Sequence, residues 1–486
     1  MSPAELSRSR RWLVLATCCM SLFIVGLDVT VVNVALPSIG HELHASVSGL
    51  QWVVASYSLV LASLLILSGS TADRVGRRRT FQIGLALFTL GSLLSSLAPS
   101  LGALVAFRML QAIGGSMLNP VAMSIITNTF TERAERARAI GIWGGVVGLS
   151  MALGPVVGGL LVSSVGWRSI FWINIPVGIA AIILTALFVP ESRAPRARRF
   201  DPAGQVLVML TLTSLVYGII EGPGRGWTSP LIVACFFVAV AAGAVFIACE
   251  RRRREPLLDV RFFRSAPFSG ATMIAVSAFA ALSGFLLLNT IYLQDVRGLS
   301  ALHAGLYMLP MAAMTVIWAP LSGRVVGARG PRLPLISAGI ALAAGAYTLT
   351  GLSAHTSSLS LVISYLVFGV GFGLVNAPIT NTAMSGMPRA QAGTAAAVAS
   401  TSRQVGSSLW VAVIGSAVVS AMTGPIKTGF VPASHIGYWI LVGCGVAVLA
   451  VGLLTTGAWA RHTADLVAAD FAPSERPENA EIAPAA

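Results

Sequence analysis

The sequence predicts an all-α membrane protein of fourteen transmembrane helices, built as two six-helix bundles with two further helices inserted between them. Three observations predict it. Hydrophobic residues fill 55% of the 486 positions and charged residues only 10%, against roughly 25% charged in ordinary globular domains. Apolar runs of about 20 residues, each long enough to cross a ~30 Å hydrocarbon core, recur along the chain. A loop motif that follows the second run returns, weakened, after the tenth.

The runs cover 12–35, 49–69, 80–98, 103–124, 138–161, 170–190, 203–221, 230–249, 268–290, 301–321, 333–351, 359–380, 394–421 and 436–459. The first has a basic flank of Arg8, Arg10 and Arg11. It is too long for a secretory signal and lacks a small-residue cleavage site, so it reads as a retained helix. Assigning alternate loops to alternate sides gathers the basic residues on one side. That side holds Arg74, Arg77, Arg78 and Arg79, then Arg133, Arg136 and Arg138, the arginines from Arg251 to Arg254, and Arg324, Arg329 and Arg332. The other side holds Arg168, Arg225, Arg297 and Lys427. The positive-inside rule then puts both termini in the cytoplasm and the chain in the cell (inner) membrane as a multi-pass protein.

The repeated loop divides the chain. Gly69-Ser70-Thr71-Ala72-Asp73-Arg74-Val75-Gly76-Arg77-Arg78-Arg79 returns as Leu321-Ser322-Gly323-Arg324-Val325-Val326-Gly327-Ala328-Arg329. Internal repeats of this kind are common in transporters. The expected layout is a cytoplasmic segment 1–11, a first bundle 12–190, a linker 191–265 carrying the seventh and eighth helices, a second bundle 266–460 and a tail 461–486. The tail is rich in Ala, Pro and Glu, shows no apolar face, and is expected to be disordered.

Composition also excludes function classes. The net charge of +14 lies in the topological loops and calls for no nucleic acid. Lys427 is the only lysine and follows Ile426, so no phosphate loop with Gly-Lys-Ser/Thr exists and ATP is not a partner. Cys18, Cys19, Cys235, Cys249 and Cys444 form no CxxC pair and read as small hydrophobes. His41-Glu42-Leu43-His44 lacks the spacing of a zinc helix, and no nucleophile elbow occurs. No cofactor or metal is expected, and the chain does not read as an enzyme.

The chemistry concentrates on Asp28. A carboxylate inside an apolar run costs a few kcal/mol even on lenient insertion scales, which makes it a functional-site hypothesis by default. At 1.5 Å per residue Asp28 lies ~24 Å from the cytoplasmic edge and ~13 Å below the outer one, and Arg108, in the fourth run, lies ~8 Å below the outer edge. The depths overlap, so the two can pair across the bundle. A buried acid beside a cation can exchange proton for substrate, because each binding event alters the cost of the other. The plainer reading is a fixed ion pair that sets packing. In the second half Arg403 lies ~14 Å into its helix and must face a cavity or a carbonyl cluster. Asn289, Asn376 and Asn381 read either as substrate contacts or as interhelical hydrogen bonds.

Four segments of the first half, and a fifth at the entry to the sixth helix, together resemble the major facilitator superfamily, and within it the 14-helix drug:proton antiporters of the EmrB/QacA type. They are Leu27 to Pro37, Gly69 to Arg78, Arg108-Met109-Leu110-Gln111 with Gly114-Gly115, Gly154-Pro155-Val156-Val157-Gly158-Gly159, and Trp167 to Pro176. The family pattern has Gly where Ala112 stands here. The resemblance implies a major facilitator fold and proton coupling at Asp28 and Arg108; the candidate substrate contacts are Asp28, Asn33 and Gln111 in the first half and, from their position alone, Asn289, Asn376 and Arg403 in the second. It implies gating by Gly69, Asp73, Arg74, Gly76, Arg77 and Arg78; Arg136 and Arg138, on the same side, are the residues that could pair with Asp73. It also implies an antiporter motif of Gly148, Gly154, Pro155, Gly158 and Gly159, whose small residues let backbones touch.

The expected activity is proton-driven antiport of a lipophilic drug or antibiotic outward by alternating access, by a monomer whose partners are that substrate, protons and membrane lipid. With Asp28 the only acid in the apolar zone, a neutral, monocationic or amphiphilic substrate is expected. The alternatives are a dedicated exporter of a self-made antibiotic or siderophore and, from another class, a receptor or enzyme on the same scaffold.

Overall fold

A computed structural model describes residues 7–193, 201–253, 259–384 and 392–470. Sixteen α-helices run through these residues: α1 Arg8–Glu42, α2 Val47–Val75, α3 Arg77–Ser96, α4 Leu101–Thr129, α5 Arg133–Ser164, α6 Ser169–Trp172, α7 Asn174–Phe188, α8 Pro202–Arg225, α9 Pro230–Arg252, α10 Ala266–Ile291, α11 Ala301–Arg329, α12 Arg332–Tyr347, α13 Ser358–Met384, α14 Ala392–Ala421, α15 Ile426–Thr455 and α16 Ala458–Asp470. A π turn, Tyr292–Val296, prolongs α10. Local chemistry sets the starts. The hydroxyls of Ser46, Ser100 and Ser300 accept hydrogen bonds from the backbone N–H three residues on, and Asp201 does the same for Gly204.

Each predicted run falls on a helix, with α6 and α7 together forming the sixth. Among the described residues, eleven helices are long and apolar enough to cross a membrane. The runs outside that set are α3, which opens on three arginines, α5, whose apolar part is Leu149–Ser164, and α12, which has 16 residues. The expected start of α15 at 436 is too late. Its helix begins at Ile426 and passes through Pro432.

The expectation of a structureless tail from 461 is corrected for its first ten residues. Helix α16 buries Ala460, Ala464 and Val467, an i, i+4, i+7 stripe too short and too Ala-rich to register as an apolar face. The Thr463 hydroxyl accepts a hydrogen bond from the Ala266 backbone N–H at 2.9 Å, fastening α16 under α10. Residues 471–486 lie outside those described.

Helix neighbours occur in two matching sets. Helix α1 packs on α5 and α7, α2 on α4, and α3 on α4 and α7. In the same way α10 packs on α14 and α15, α11 on α13, and α12 on α13 and α15. The substantial cross-contacts between the sets, α2 with α14 and α5 with α11, exchange with each other under the same correspondence. Helices α8 and α9 pack on each other, and α8 rests on both α2 and α14.

The two sets meet at the end away from Arg8 and α16. There Gln294 Nε2 donates to the Val34 carbonyl at 2.8 Å, the Leu302 N–H donates to Ser163 Oγ at 3.0 Å, and His41 Nε2 lies 3.2 Å from Asp295 Oδ1. A Cβ on Gly159 would stand 2.6 Å from the Ala301 carbonyl oxygen, so this glycine permits backbone contact between α5 and α11. At the opposite, basal end Gly141 and Gly145 of α5 and Gly327 of α11 have nothing within 4 Å of a Cβ position.

Candidate functional site

Asp28 and Arg108 form a direct ion pair in the interior of the first helix set, each 1% exposed. Depth brings them together, and three further helices complete the shell. Arg108 Nη1 donates to Asp28 Oδ2 and, at 2.8 Å, to Gln111 Oε1 one turn along α4. Asp28 Oδ1 accepts from Gln111 Nε2 at 2.9 Å and from Asn174 Nδ2 of α7 at 3.2 Å. Ser92 of α3 accepts from Asn174 at 3.0 Å and donates to the Phe171 carbonyl at 3.0 Å. The Arg108 guanidinium stacks over the Tyr57 ring of α2, 4.1 Å from its centroid.

An isolated charge here would carry a penalty of several kcal/mol, which the pairing and the four charge-assisted hydrogen bonds offset. The shell also holds unused capacity. Arg108 Nε, Asn174 Oδ1 and the Tyr57 hydroxyl are buried without hydrogen-bond partners. A proton arriving at Asp28 would weaken its hold on Arg108 while neighbouring polar atoms stand ready to re-pair.

Close packing holds this shell in register. A Cβ on Gly91 of α3 would lie 2.5 Å from the backbone nitrogen of Gln111. Gly91→Ala is therefore expected to push α3 off α4, lower stability by about 1–3 kcal/mol and shift the Gln111 amide that holds Asp28. Thermal unfolding of the purified protein checks it, and an unchanged midpoint would contradict the packing argument.

The second helix set carries a neutral counterpart. Asn289 of α10 accepts hydrogen bonds at Oδ1 from the hydroxyls of Tyr365 on α13, at 2.6 Å, and Tyr438 on α15, at 3.2 Å. Those helices correspond to α1, α4 and α7, which supply Asp28, Arg108 and Asn174. Arg108 stands seven residues after Leu101, and Tyr365 stands seven after Ser358. One network holds a carboxylate and a guanidinium, and the other is made of an amide and two phenols.

The remaining candidates divide by position. A cleft between the sets is lined by Thr30, Met151, Leu282, Leu286, Met311 and Phe372, among others. Asp28 and Thr30, two residues apart, face opposite sides of α1, so Asp28 is turned away from this cleft, as is Gln111. Asn289 is enclosed by its tyrosines. The Asn33 amide donates to the Val29 carbonyl of its own helix at 2.8 Å. Asn376 and Arg403 lie beyond the lining residues, toward the basal end: Asn376 follows Phe372 by one turn, and Arg403 Nη2 donates to Thr380 Oγ1, one turn further, at 2.6 Å.

In the α2–α3 loop, Asp73 pairs with Arg77 at 3.0 Å rather than with Arg136 or Arg138, because one helical turn separates the two. Arg138 instead lies over the Trp12 ring. Gly76 adopts φ +119°, a conformation that favours glycine, against Glu191, which accepts from the Arg78 backbone N–H at 3.1 Å. Arg78 also donates to the Ala186 carbonyl at 2.7 Å. Gly69 faces Pro120. Arg74 lies in the last turn of α2.

In α5, Gly154 meets Thr30 and Gly158 meets the Val31 backbone of α1, while Gly159 and the Pro155 carbonyl meet α11 at Ala301 and Gly305. The surroundings of Gly148 lie outside those described. Sequence reasoning gave no role to Ser92, Tyr57, Asn174, Tyr365 or Tyr438. For Asn174 the signal was available, since it sits in the Trp167–Pro176 segment.

Known proteins bear on this geometry. The chain is 39% identical over 408 residues to the multidrug resistance protein Stp of Mycobacterium tuberculosis, covering 84% of this chain and 76% of that one. It is 37% identical over 420 residues to the tetracenomycin C resistance and export protein of Streptomyces glaucescens, covering 86% and 78%. The solved structure of the POT family transporter PepTSo aligns over 95% of this chain and 99% of its own with a TM-score of 0.67 at 16% identity, which speaks for the fold. The sequence pattern of the Major Facilitator Superfamily matches residues 18–411. The chain belongs to the Major Facilitator Superfamily.

Proposed function

We propose that this chain is a drug:proton antiporter of the 14-helix EmrB/QacA type, exporting a lipophilic compound across the cell membrane in exchange for protons. The single observation that carries the proposal is the sealed Asp28–Arg108 pair with its Gln111 and Asn174 partners. A carboxylate this deep, tied to α4 and α7, converts proton binding into a change of helix contacts. The names of the relatives, multidrug resistance and tetracenomycin C resistance and export, support the direction and the chemical range.

In this reading the two matched helix sets are six-helix halves that rock about the α2–α14 and α5–α11 contacts, with α8 and α9 as the inserted pair. Both termini are cytoplasmic, so the cleft opens inward at the basal end. The Gly69–Arg78 loop, held here by Glu191 of its own half, is the gate, and Gly148 through Gly159 form the sliding surface of α5. Asn376 and Arg403 contact substrate once the cleft widens, and Asp28, Asn33, Gln111 and Asn289 do so only after further rearrangement. The working unit is a monomer.

The test is purified protein in liposomes with a trapped pH-sensitive dye and no ATP. Addition of a transported lipophilic compound is expected to move protons in the opposite direction, and an imposed pH gradient to drive accumulation. No proton movement across a broad panel of such compounds would overturn the proposal.

A further inference from the structure

Arg403 is a membrane-embedded charge that the network around Asp28 does not explain. It stands eleven residues after Ala392 and eighteen before Ala421, deep in α14. Its Nη2 donates to Thr380 Oγ1 at 2.6 Å and its guanidinium lies 5.9 Å from the Phe279 ring centroid. Its Nε is buried without a hydrogen-bond partner. No carboxylate of the second helix set can neutralise it. Between Ala266 and Ala460 the sequence has one acid, Asp295, which lies at the far end beside His41.

Arg403 lies basal to the lining of the cleft, on the continuation of the same helix faces. Phe279 precedes Leu282 and Leu286 on one face of α10, and Asn376 and Thr380 follow Phe372 on one face of α13. Phe279 and Phe372 touch edge to face at 5.3 Å. The faces that line the apolar cleft therefore continue one to two turns toward the basal end and arrive at the guanidinium. Asn376 adds a donor whose present bond, to the Phe372 carbonyl of its own helix, is long at 3.4 Å.

We propose that Arg403, with Thr380 and Asn376, is the anion-recognition corner of this cleft, and that the compound carried is a lipophilic organic anion. Its apolar body lies against Met151, Met311 and Phe372, and its ionised carboxylate, sulfonate or phenolate pairs with Arg403. A desolvated guanidinium with an open Nε–H is a donor fork in search of a planar acceptor. Methionine and aromatic walls tolerate varied ring systems. This replaces the expectation of a neutral or cationic compound, and it rests on the export reading above.

The test compares anilinonaphthalene sulfonate with phenylnaphthylamine, which share a ring system and differ in the sulfonate. Binding is followed by fluorescence to the full-length protein in lipid nanodiscs, with empty discs subtracted. The wild type is expected to prefer the sulfonate. Arg403→Gln is expected to lower the ratio of the two affinities by about tenfold or more, with Arg403→Lys recovering part of it. Thr380→Asp keeps Arg403 in place but supplies an internal carboxylate, and is expected to lower the ratio likewise should Arg403→Gln fail to fold. A wild type that binds the amine but shows no preference for the sulfonate, or a ratio unchanged in these variants, overturns the anion assignment and leaves the export reading standing. A wild type that binds neither probe and moves no compound in liposomes overturns both.

Discussion

Asp28→Asn is expected to eliminate substrate-coupled proton movement while the protein still reaches the membrane. The amide preserves the shape of the carboxyl and can still accept from Gln111 and Asn174, so the shell of α1, α3, α4 and α7 has its partners. It cannot take up a proton in the physiological range. Proton flux in liposomes should fall at least tenfold, with the compound itself still able to bind. The variant leaves Arg108 facing no anion, which also costs stability, so the informative companion is Asp28→Asn combined with Arg108→Gln. That pair is neutral and hydrogen-bonded, and should fold better than Asp28→Asn alone yet remain uncoupled. Full coupling in either variant would mean that the ion pair only sets packing.

The second large effect concerns stability. Removing one partner of a buried pair costs about 3–5 kcal/mol, because the other charge is left uncompensated. The two single variants should differ in how pH modifies that cost. Arg108→Gln strands a carboxylate, which can neutralise itself by binding a proton, so its deficit should shrink as pH falls. Asp28→Asn strands a guanidinium, which stays charged at any accessible pH, so its deficit should persist. Unfolding midpoints of both variants at neutral and acid pH check this. Deficits that move together with pH would contradict the pairing as the source of the cost.

Much of this site could be read from the sequence because hydrocarbon allows so few solutions. A carboxylate and an arginine in separate apolar runs, at overlapping depths, have little to pair with except each other. The basic loops gave the side of each run, and the 1.5 Å rise gave the depth. Ser92, Tyr57 and Asn174 were hidden because depth says nothing about which way a side chain points around its helix. Serines and tyrosines are also ordinary content of such runs. The symmetry of Asn289 with Asp28 was hidden for a related reason: the amide and the carboxylate share a place in the fold and share no sequence pattern. Where apolar content thinned, helix limits were missed as well. Helix α16 carries its buried stripe on two alanines and a valine, too little to stand out from a polar tail.

The seat of α8 has a consequence for the surrounding lipid. A molecule with a twofold repeat would present the bilayer with two equivalent lateral seams, one at α2–α14 and one at α5–α11. Helix α8 covers the first and is bonded to both of its sides. Gln205 donates to the Ser63 carbonyl, Glu221 accepts from Trp52 Nε1 at 2.9 Å, and the Ile219 carbonyl accepts from Ser416 Oγ at 2.6 Å. Among the described residues, neither α8 nor α9 makes a comparable contact with α5 or α11. The bilayer therefore meets a flank covered by α8 on one side and, on the other, the joint where Gly159 and Gly305 bring α5 and α11 together, so α8 gives the two matched helix sets a front and a back.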